Sequence, residues 1–154
     1  MSFAEQPGPV SVEQVRVEVT WPLRAEVLRP GRSPRDVAFP GELDPAAGHF
    51  AAFADNRIVG VAGVLPEPEP DGPDPTGIWR LRGMAVAPAQ RGRGIGGLLL
   101  ERVRDHVART GGGLMWCNAR VSAQRFYAAA GWVMIGEPWE DPDIGPHVRM
   151  HDTR

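Results

Sequence analysis

Apolar residues change their spacing several times along the chain, and each change predicts an element. Val10, Val12, Val15, Val17 and Val19 alternate with polar partners, with a slip near Gln14, and predict a first strand over residues 10–19. WPLRAEVLRPG follows, with Pro22 suited to the first turn of a helix and Pro30-Gly31 to its end. Two apolar runs flank Asp55-Asn56, a hairpin-turn signal, so strands are expected over residues 49–54 and 57–65. WRLRGMAV predicts a strand over residues 79–86 with Trp79, Leu81, Gly83 and Ala85 on one face and Arg80, Arg82, Met84 and Val86 on the other. The period then becomes helical. Ile95, Leu99, Val103 and Val107 form an apolar stripe, Glu101, Arg104, Asp105 and Arg109 face water, and Gly111 supplies the stop. LMWC reads as a short buried strand, SAQRFYAAAGW as a helix ending at Gly131, and WVMIG and HVRM as closing strands.

Two segments lack either period. Residues 29–48, rich in Pro, Gly and Asp, predict a loop with at most a short helix, of the kind that carries specificity on a rigid scaffold. PEPEPDGPDPTG, residues 66–77, combines prolines that lack an N–H with mutually repelling carboxylates, and predicts an exposed mobile loop rather than an acidic metal site. The alternation around the central helix argues for an α/β (α+β) fold with a mixed sheet.

Composition narrows the class without naming a function. At 154 residues, 42 % hydrophobic and with a net charge of −2, the chain suits one soluble domain over residues 10–154 behind a flexible N-terminus of residues 1–9. Nothing advertises a nucleic-acid partner. No apolar run reaches the ~18 residues of a membrane span, no signal peptide is evident, and the lone Cys117 suits a reducing compartment, so a cytoplasmic protein without membrane attachment is expected. All 17 basic residues are arginine, which removes a lysine Schiff base from consideration.

Candidate chemistry centres on RGRGIGG, Arg91 to Gly97. Three glycines at the start of a helix cost roughly 1 kcal/mol each when interior. A phosphate group at the helix's unpaired N–H groups offsets that cost, and it needs missing side chains to approach closely. Gly92, Gly94 and Gly97 satisfy a dinucleotide fingerprint, but four residues, APAQ, separate strand from glycines. No acidic residue follows at the ribose position, so the nicotinamide reading falls.

Parsed as Arg91-x-x-Gly94-x-Gly96 after LRGMAV, the stretch resembles the acetyl-CoA signature of the GNAT (GCN5-related) N-acetyltransferase superfamily. AQRFYAAAGW looks like that family's A-x-x-F/L-Y-x-x-x-G-F element, with Trp132 in place of Phe. The resemblance implies a mostly antiparallel sheet of six to seven strands, splayed at the cofactor site and flanked by helices. It further implies acetyl-CoA as cosubstrate with no metal, and transfer to a primary amine of a small molecule or protein N-terminus by direct ternary-complex chemistry. A non-catalytic acyl-CoA-binding or sensing module stays open beside this, as does a homodimer.

Residue by residue, the resemblance assigns Met84, Ala85 and Val86 to the pantetheine arm and acetyl carbonyl, and the N–H groups of Arg91, Gly92, Arg93, Gly94, Ile95 and Gly96 to the pyrophosphate. Gly83 independently suggests a bulge or close backbone approach. Tyr127 matches the family tyrosine that protonates the departing thiolate, and a phenol suits that leaving group. Arg120 stands where the family commonly has Asn, leaving Asn118 either to take over that cofactor bond or to help bind the acceptor. The strand before the signature lacks the glutamate many members use as base; His147 is the favoured replacement over Glu42, Asp44 and His49. Phe126 reads as core, His106 and His151 as solvated, Cys117 as a small buried hydrophobe. Arg80 and Arg82 meet either an acidic acceptor or, preferably, carboxylates of the protein.

Overall fold

In the computed structural model, which describes residues 9–72 and 77–154, the chain forms β1 (Ser11–Gln14), α1 (Val17–Leu28), β2 (Gly48–Ala54), β3 (Arg57–Pro66), β4 (Ile78–Val86), α2 (Ile95–Arg109), β5 (Leu114–Arg120), α3 (Gln124–Ala129), β6 (Trp132–Asp141) and β7 (Gly145–Asp152), with short 3-10 turns at Pro34–Val37, Pro88–Gln90 and Val121–Ala123. The seven strands make one sheet in the order β1-β2-β3-β4-β5-β7-β6. Only β4 and β5 pair in parallel; the other neighbours are antiparallel. The mixed α/β architecture expected from the sequence is therefore present. The expected flexible residues 1–9 fall, but for Pro9, outside the described residues.

Helix α2 covers one sheet face. Ile95, Leu99 and Val103 are fully buried against Phe50, Ala62, Val64 and Leu81, as the i, i+4 stripe requires. Gly60 on β3 permits the close crossing: an added Cβ there would lie 2.8 Å from Ile95 and 2.9 Å from Leu99. Arg104, expected to face water, instead donates to Asp152 at 2.7 Å and to the Ala130 carbonyl at 2.5 Å, tying α2 to β7. Helix α1 lies on the other face, with Leu23, Ala51, Val61 and Ala85 as its core.

The first expected strand is half strand and half helix. Pairing with β2 ends at Gln14, and α1 begins at Val17, so Pro22 sits inside the helix rather than in its first turn. Val15, Val17 and Val19 imitate a strand, but burial of Val17, Thr20, Leu23 and Arg24 follows the helical period, with two polar members hiding it. The Asp55-Asn56 hairpin is as expected, both residues having positive φ (51° and 63°).

The proline-rich β3–β4 loop is also pinned where it is described. Glu67 accepts from Arg80 at 2.6 Å, its carbonyl accepts from Trp116 Nε1 at 2.9 Å, and Glu69 pairs with Arg149 and His151. Residues 73–76 of that loop lie outside the described residues. Neither spare histidine is simply solvated. His151 meets Glu69, and His106 bonds the Ala46 carbonyl at 2.8 Å while standing edge-on to Phe50 and Trp79. Among the described residues no helix is long and apolar enough to cross a membrane.

His49 is 7 % exposed, with Nε2 bonded to the Glu42 carbonyl at 2.9 Å, and burial pulls its pKa below the usual 6.5. The unfolded chain then takes up the proton first, so stability is complete above the unfolded value and declines as pH falls toward the folded one. Urea unfolding should show a free energy that drops as pH falls through 6.5 and below in the parent. His49→Gln should flatten that drop; an unchanged slope would remove His49 as its cause.

Candidate active site

Strands β4 and β5 share three register pairs, Ile78↔Leu114, Trp79↔Met115 and Arg80↔Trp116. Both strands run on without further pairing to each other, β4 to Val86 and β5 to Arg120. A gap therefore opens between the next residues on that face, Arg82 and Asn118. A cleft of about 980 Å³ occupies it and extends from the first turn of α2 to the β6–β7 turn.

The gap begins at a bulge. Val61 pairs with Ala85 while Gly63 pairs with Arg82, so Gly83 and Met84 together oppose Ala62. The extra residue exchanges the faces of β4. Leu81 packs beneath α2, Ala85 packs with Leu23 and Val61 beneath α1, and Met84 and Val86 turn toward the α2 side. The expected placing of Gly83 and Ala85 on the Trp79 face is thereby corrected. Gly83 has φ +65°, and a Cβ there would stand 2.6 Å from Arg24 Nε.

Arg24 is 1 % exposed. It donates to the Glu42 carboxylate, to the Val37 carbonyl at 3.0 Å and to Thr20 Oγ1 at 3.2 Å. Burial pulls its pKa down despite Glu42. Glu42 also accepts from Trp21 Nε1 at 3.2 Å. Sequence reasoning missed Arg24, because nothing local marks a helical arginine whose partner lies 18 residues away.

At the other end of the cleft, Gly92 (φ +82°) and Gly94 (φ +76°) adopt the left-handed conformation with open space where a Cβ would be. Gly94 caps α2 without a side chain, so the first-turn N–H groups of Ile95 and Gly96 have no side-chain cap beside the cleft. Such an end favours an anion. Arg91 lines the same space, whereas the Arg93 side chain turns to Gln90 Oε1. Gly96 keeps room for Phe126, whose ring would be 2.7 Å from an added Cβ. Phe126 is therefore 36 % exposed cleft wall rather than core. Gly97, by contrast, has nothing within 4 Å.

The side chains expected to carry chemistry converge here. Met84, Ala85, Val86, Asn118, Tyr127 and His147 all line the cleft. Tyr127 is 6 % exposed between Phe126 and Trp132, with ring centroids at 5.1 and 5.4 Å, and burial raises its pKa well above the usual phenol value. His147 Nδ1 lies 2.9 Å from the Gly145 carbonyl, which can only accept. The neutral ring thus carries its proton on Nδ1 and its lone pair on Nε2. The other candidate bases are engaged elsewhere and do not line the cleft: Glu42 with Arg24, His49 with the Glu42 carbonyl, and Asp44 with the Ala46 N–H at 2.8 Å. Burial pushes the Cys117 thiol up to about 12, which keeps it protonated and a poor nucleophile. Asn118 Oδ1 accepts from Arg149 Nε at 3.3 Å.

A splayed strand pair, a bulge at the gap and a glycine-opened helix meet in one cleft, and the family model described as the acetyltransferase (GNAT) family matches residues 17–132. The chain belongs to this family. It is an acetyltransferase, and members of the family act on amines with acetyl-CoA. YitI of Bacillus subtilis strain 168, named as an uncharacterized N-acetyltransferase, is 31 % identical over 144 residues, 94 % of this chain and 96 % of YitI. Among solved structures, Escherichia coli ElaA superposes with a TM-score of 0.73 at 18 % identity, covering 94 % of this GNAT chain and 99 % of ElaA. An aminoglycoside 6'-N-acetyltransferase complexed with coenzyme A gives 0.68 at 15 % identity, covering 92 % and 96 %. These two show likeness of fold.

The Gly83–Arg24 contact sets two expectations for unfolding measurements. Gly83→Ala should cost about 1–2 kcal/mol from backbone strain alone, and more if Arg24 is displaced. Arg24→Met, which strands the Glu42 carboxylate, should cost about 3–5 kcal/mol, and Arg24→Met with Glu42→Leu should be less destabilised than the sum of the single variants. Additive losses would show that the pair is not coupled.

Proposed function

We propose that the protein is an acetyl-CoA-dependent N-acetyltransferase acting on a primary amine of a small molecule, with a protein N-terminus as the alternative acceptor. The whole of residues 10–154 would serve as one catalytic domain in the cytoplasm. The observation that carries this reading is the single cleft that joins the β4–β5 gap, the uncapped first turn of α2, Tyr127 and His147.

The residues present fit the coenzyme. The pyrophosphate would rest on the N–H groups of Arg91, Gly92, Arg93, Gly94, Ile95 and Gly96, where the left-handed glycines leave space for an anion. The pantetheine arm would lie along the unpaired edge of β4 at Met84, Ala85 and Val86, with Asn118 across the gap. Bound there, acetyl-CoA supplies the thioester. No metal is invoked.

Three steps fall to this chain's residues. Backbone groups beside the Gly83 bulge hold the acetyl carbonyl. His147 Nε2, directly or through a water, takes the proton the amine must lose as it attacks the carbonyl carbon. The Tyr127 hydroxyl, kept protonated by burial, gives its proton to the departing sulfur as the carbon–sulfur bond breaks. Cys117, held as a thiol, takes no part, which suits direct transfer within a ternary complex. A second copy of the chain could dock on β6, the edge strand, where Val133, Met134 and Ile135 are exposed.

Calorimetry on the parent protein should show acetyl-CoA binding, and thiol release should follow with an amine panel. Tyr127→Phe should keep the coenzyme affinity and lower kcat by about a hundredfold, and His147→Gln should lower kcat similarly while shifting the pH profile. Absence of acetyl-CoA binding would end this reading; full activity in both variants would end the two assigned roles.

A further inference from the structure

The guanidinium groups of the cleft are not equally compensated. Arg80 donates to Glu67 and lies over Trp116 at 4.7 Å, and Arg24 is neutralised by Glu42. Arg82, one residue before the bulge and on the same face as Arg80, forms no ion pair among the described residues. Its guanidinium instead lies over the Phe39 ring at 3.8 Å, and Arg24 approaches the same ring at 4.4 Å. Burial and the neighbouring Arg80 bring its pKa down to about 10, the mark of a half-buried cation short of counter-charge.

The opposite lip repeats the pattern. Arg120 Nη2 donates to the Leu28 carbonyl at 2.6 Å, and its pKa is lowered by burial and by adjacent Arg29. Neither Arg29 nor Arg120 meets a carboxylate among the described residues. Asp36 and Asp141 line the same cleft without reaching a guanidinium among the described residues. Asp36 is exposed, and Asp141 Oδ1 accepts from the N–H groups of Asp143 and Ile144 at 2.9 and 3.2 Å.

We propose that the acceptor is a small amine carrying an oxyanion, a carboxylate or a phosphate, within a few bonds of its nitrogen, and that Arg82 binds that oxyanion where β4 and β5 part. This rests on the transferase reading above, which sets the acetyl carbonyl at Met84 and Ala85, two and three residues beyond Arg82 on the same strand. An amine in reach of that carbonyl places its nearest substituents at the mouth of the gap, beside Arg82. Stacking on Phe39 covers one plane of the guanidinium and leaves its N–H edge for a forked pair of bonds to an oxyanion. Arg29 and Arg120 add attraction from the far lip. A polycationic amine would meet Arg29, Arg82 and Arg120, which have no carboxylate partner among the described residues, and like charges in a partly desolvated cleft repel strongly.

The test is thiol release from acetyl-CoA with matched amines: a panel of amino acids against their amides for the carboxylate arm, phosphoethanolamine against ethanolamine for the phosphate arm, and putrescine as the dication. The oxyanion-bearing member of at least one arm should show kcat/KM about tenfold or more above its partner, equivalent to one charge-assisted hydrogen bond. Arg82→Gln should erase that preference mainly through KM while acetyl-CoA binding by calorimetry stays unchanged; Arg82→Lys, which keeps the charge and loses the fork, should retain part of it. Thermal unfolding of both variants separates loss of preference from loss of fold. Normal acetyl-CoA binding with amides, ethanolamine or putrescine used as well or better, or with no oxyanion-bearing amine turned over, would overturn the inference alone. Failure of the parent protein to bind acetyl-CoA would overturn the transferase reading and this inference with it.

Discussion

The Arg24 guanidinium beneath Gly83 is the contact on which the rest of the site depends. A glycine in the left-handed region leaves a hole where its side chain would be, and here a buried cation occupies that hole. The cation requires Glu42, and Glu42 requires the 29–48 loop to fold back over α1, bringing Phe39 and Val37 with it. One bulge thereby determines three things: where β4 exchanges its faces, where it parts from β5, and which loop walls the cleft. Desolvation costs several kcal/mol per buried ion, so this is an expensive way to stabilise a fold. It does fix one geometry, because neither charge tolerates being left alone.

Legibility in the sequence followed locality. The α2 stripe, the Asp55-Asn56 turn and the glycine-opened helix start were readable because spacing or backbone preference within a few residues decides them. The β1–α1 boundary was not. There the apolar alternation of Val15, Val17 and Val19 competes with a helical burial set whose members include Thr20 and Arg24, and polar residues in a core are invisible to a hydrophobic period. The faces of β4 failed for a related reason. Strict alternation is the default until an extra residue is inserted, and only Gly83 hinted at one.

Within the candidate site, every residue assigned through family resemblance except the Arg93 side chain lines the cleft, and its backbone remains in the loop that borders it. What sequence reasoning could not supply was the wall opposite: Arg24, Phe39, Arg82 with its stacked ring, Phe126 against Gly96, and Arg120 reaching Leu28. Each is defined by a partner distant in the chain. That His147 lines the cleft while Glu42, Asp44 and His49 are engaged away from it is likewise a matter of the fold, not of local sequence.

The charge arrangement shows why a net charge of −2 is a poor guide to the partner. The acidic β3–β4 loop looks like a solvated tail, yet Glu67 and Glu69 neutralise Arg80 and Arg149, and Glu69 also meets His151, along the sheet face beyond the gap. That neutralisation stops one step short of the bulge. Arg80 and Arg82 lie on the same strand face, two residues apart, yet only the first meets Glu67; the second has an aromatic ring instead. A protein selected only for stability gains little by withholding a counter-ion from a half-buried guanidinium, because the desolvation cost is borne either way. Withholding it makes sense where a ligand completes the pair, since the ligand then gains from a desolvation already incurred. The mean charge of the chain and the local charge of the cleft therefore have opposite signs, and only the local one would act on a ligand at the gap.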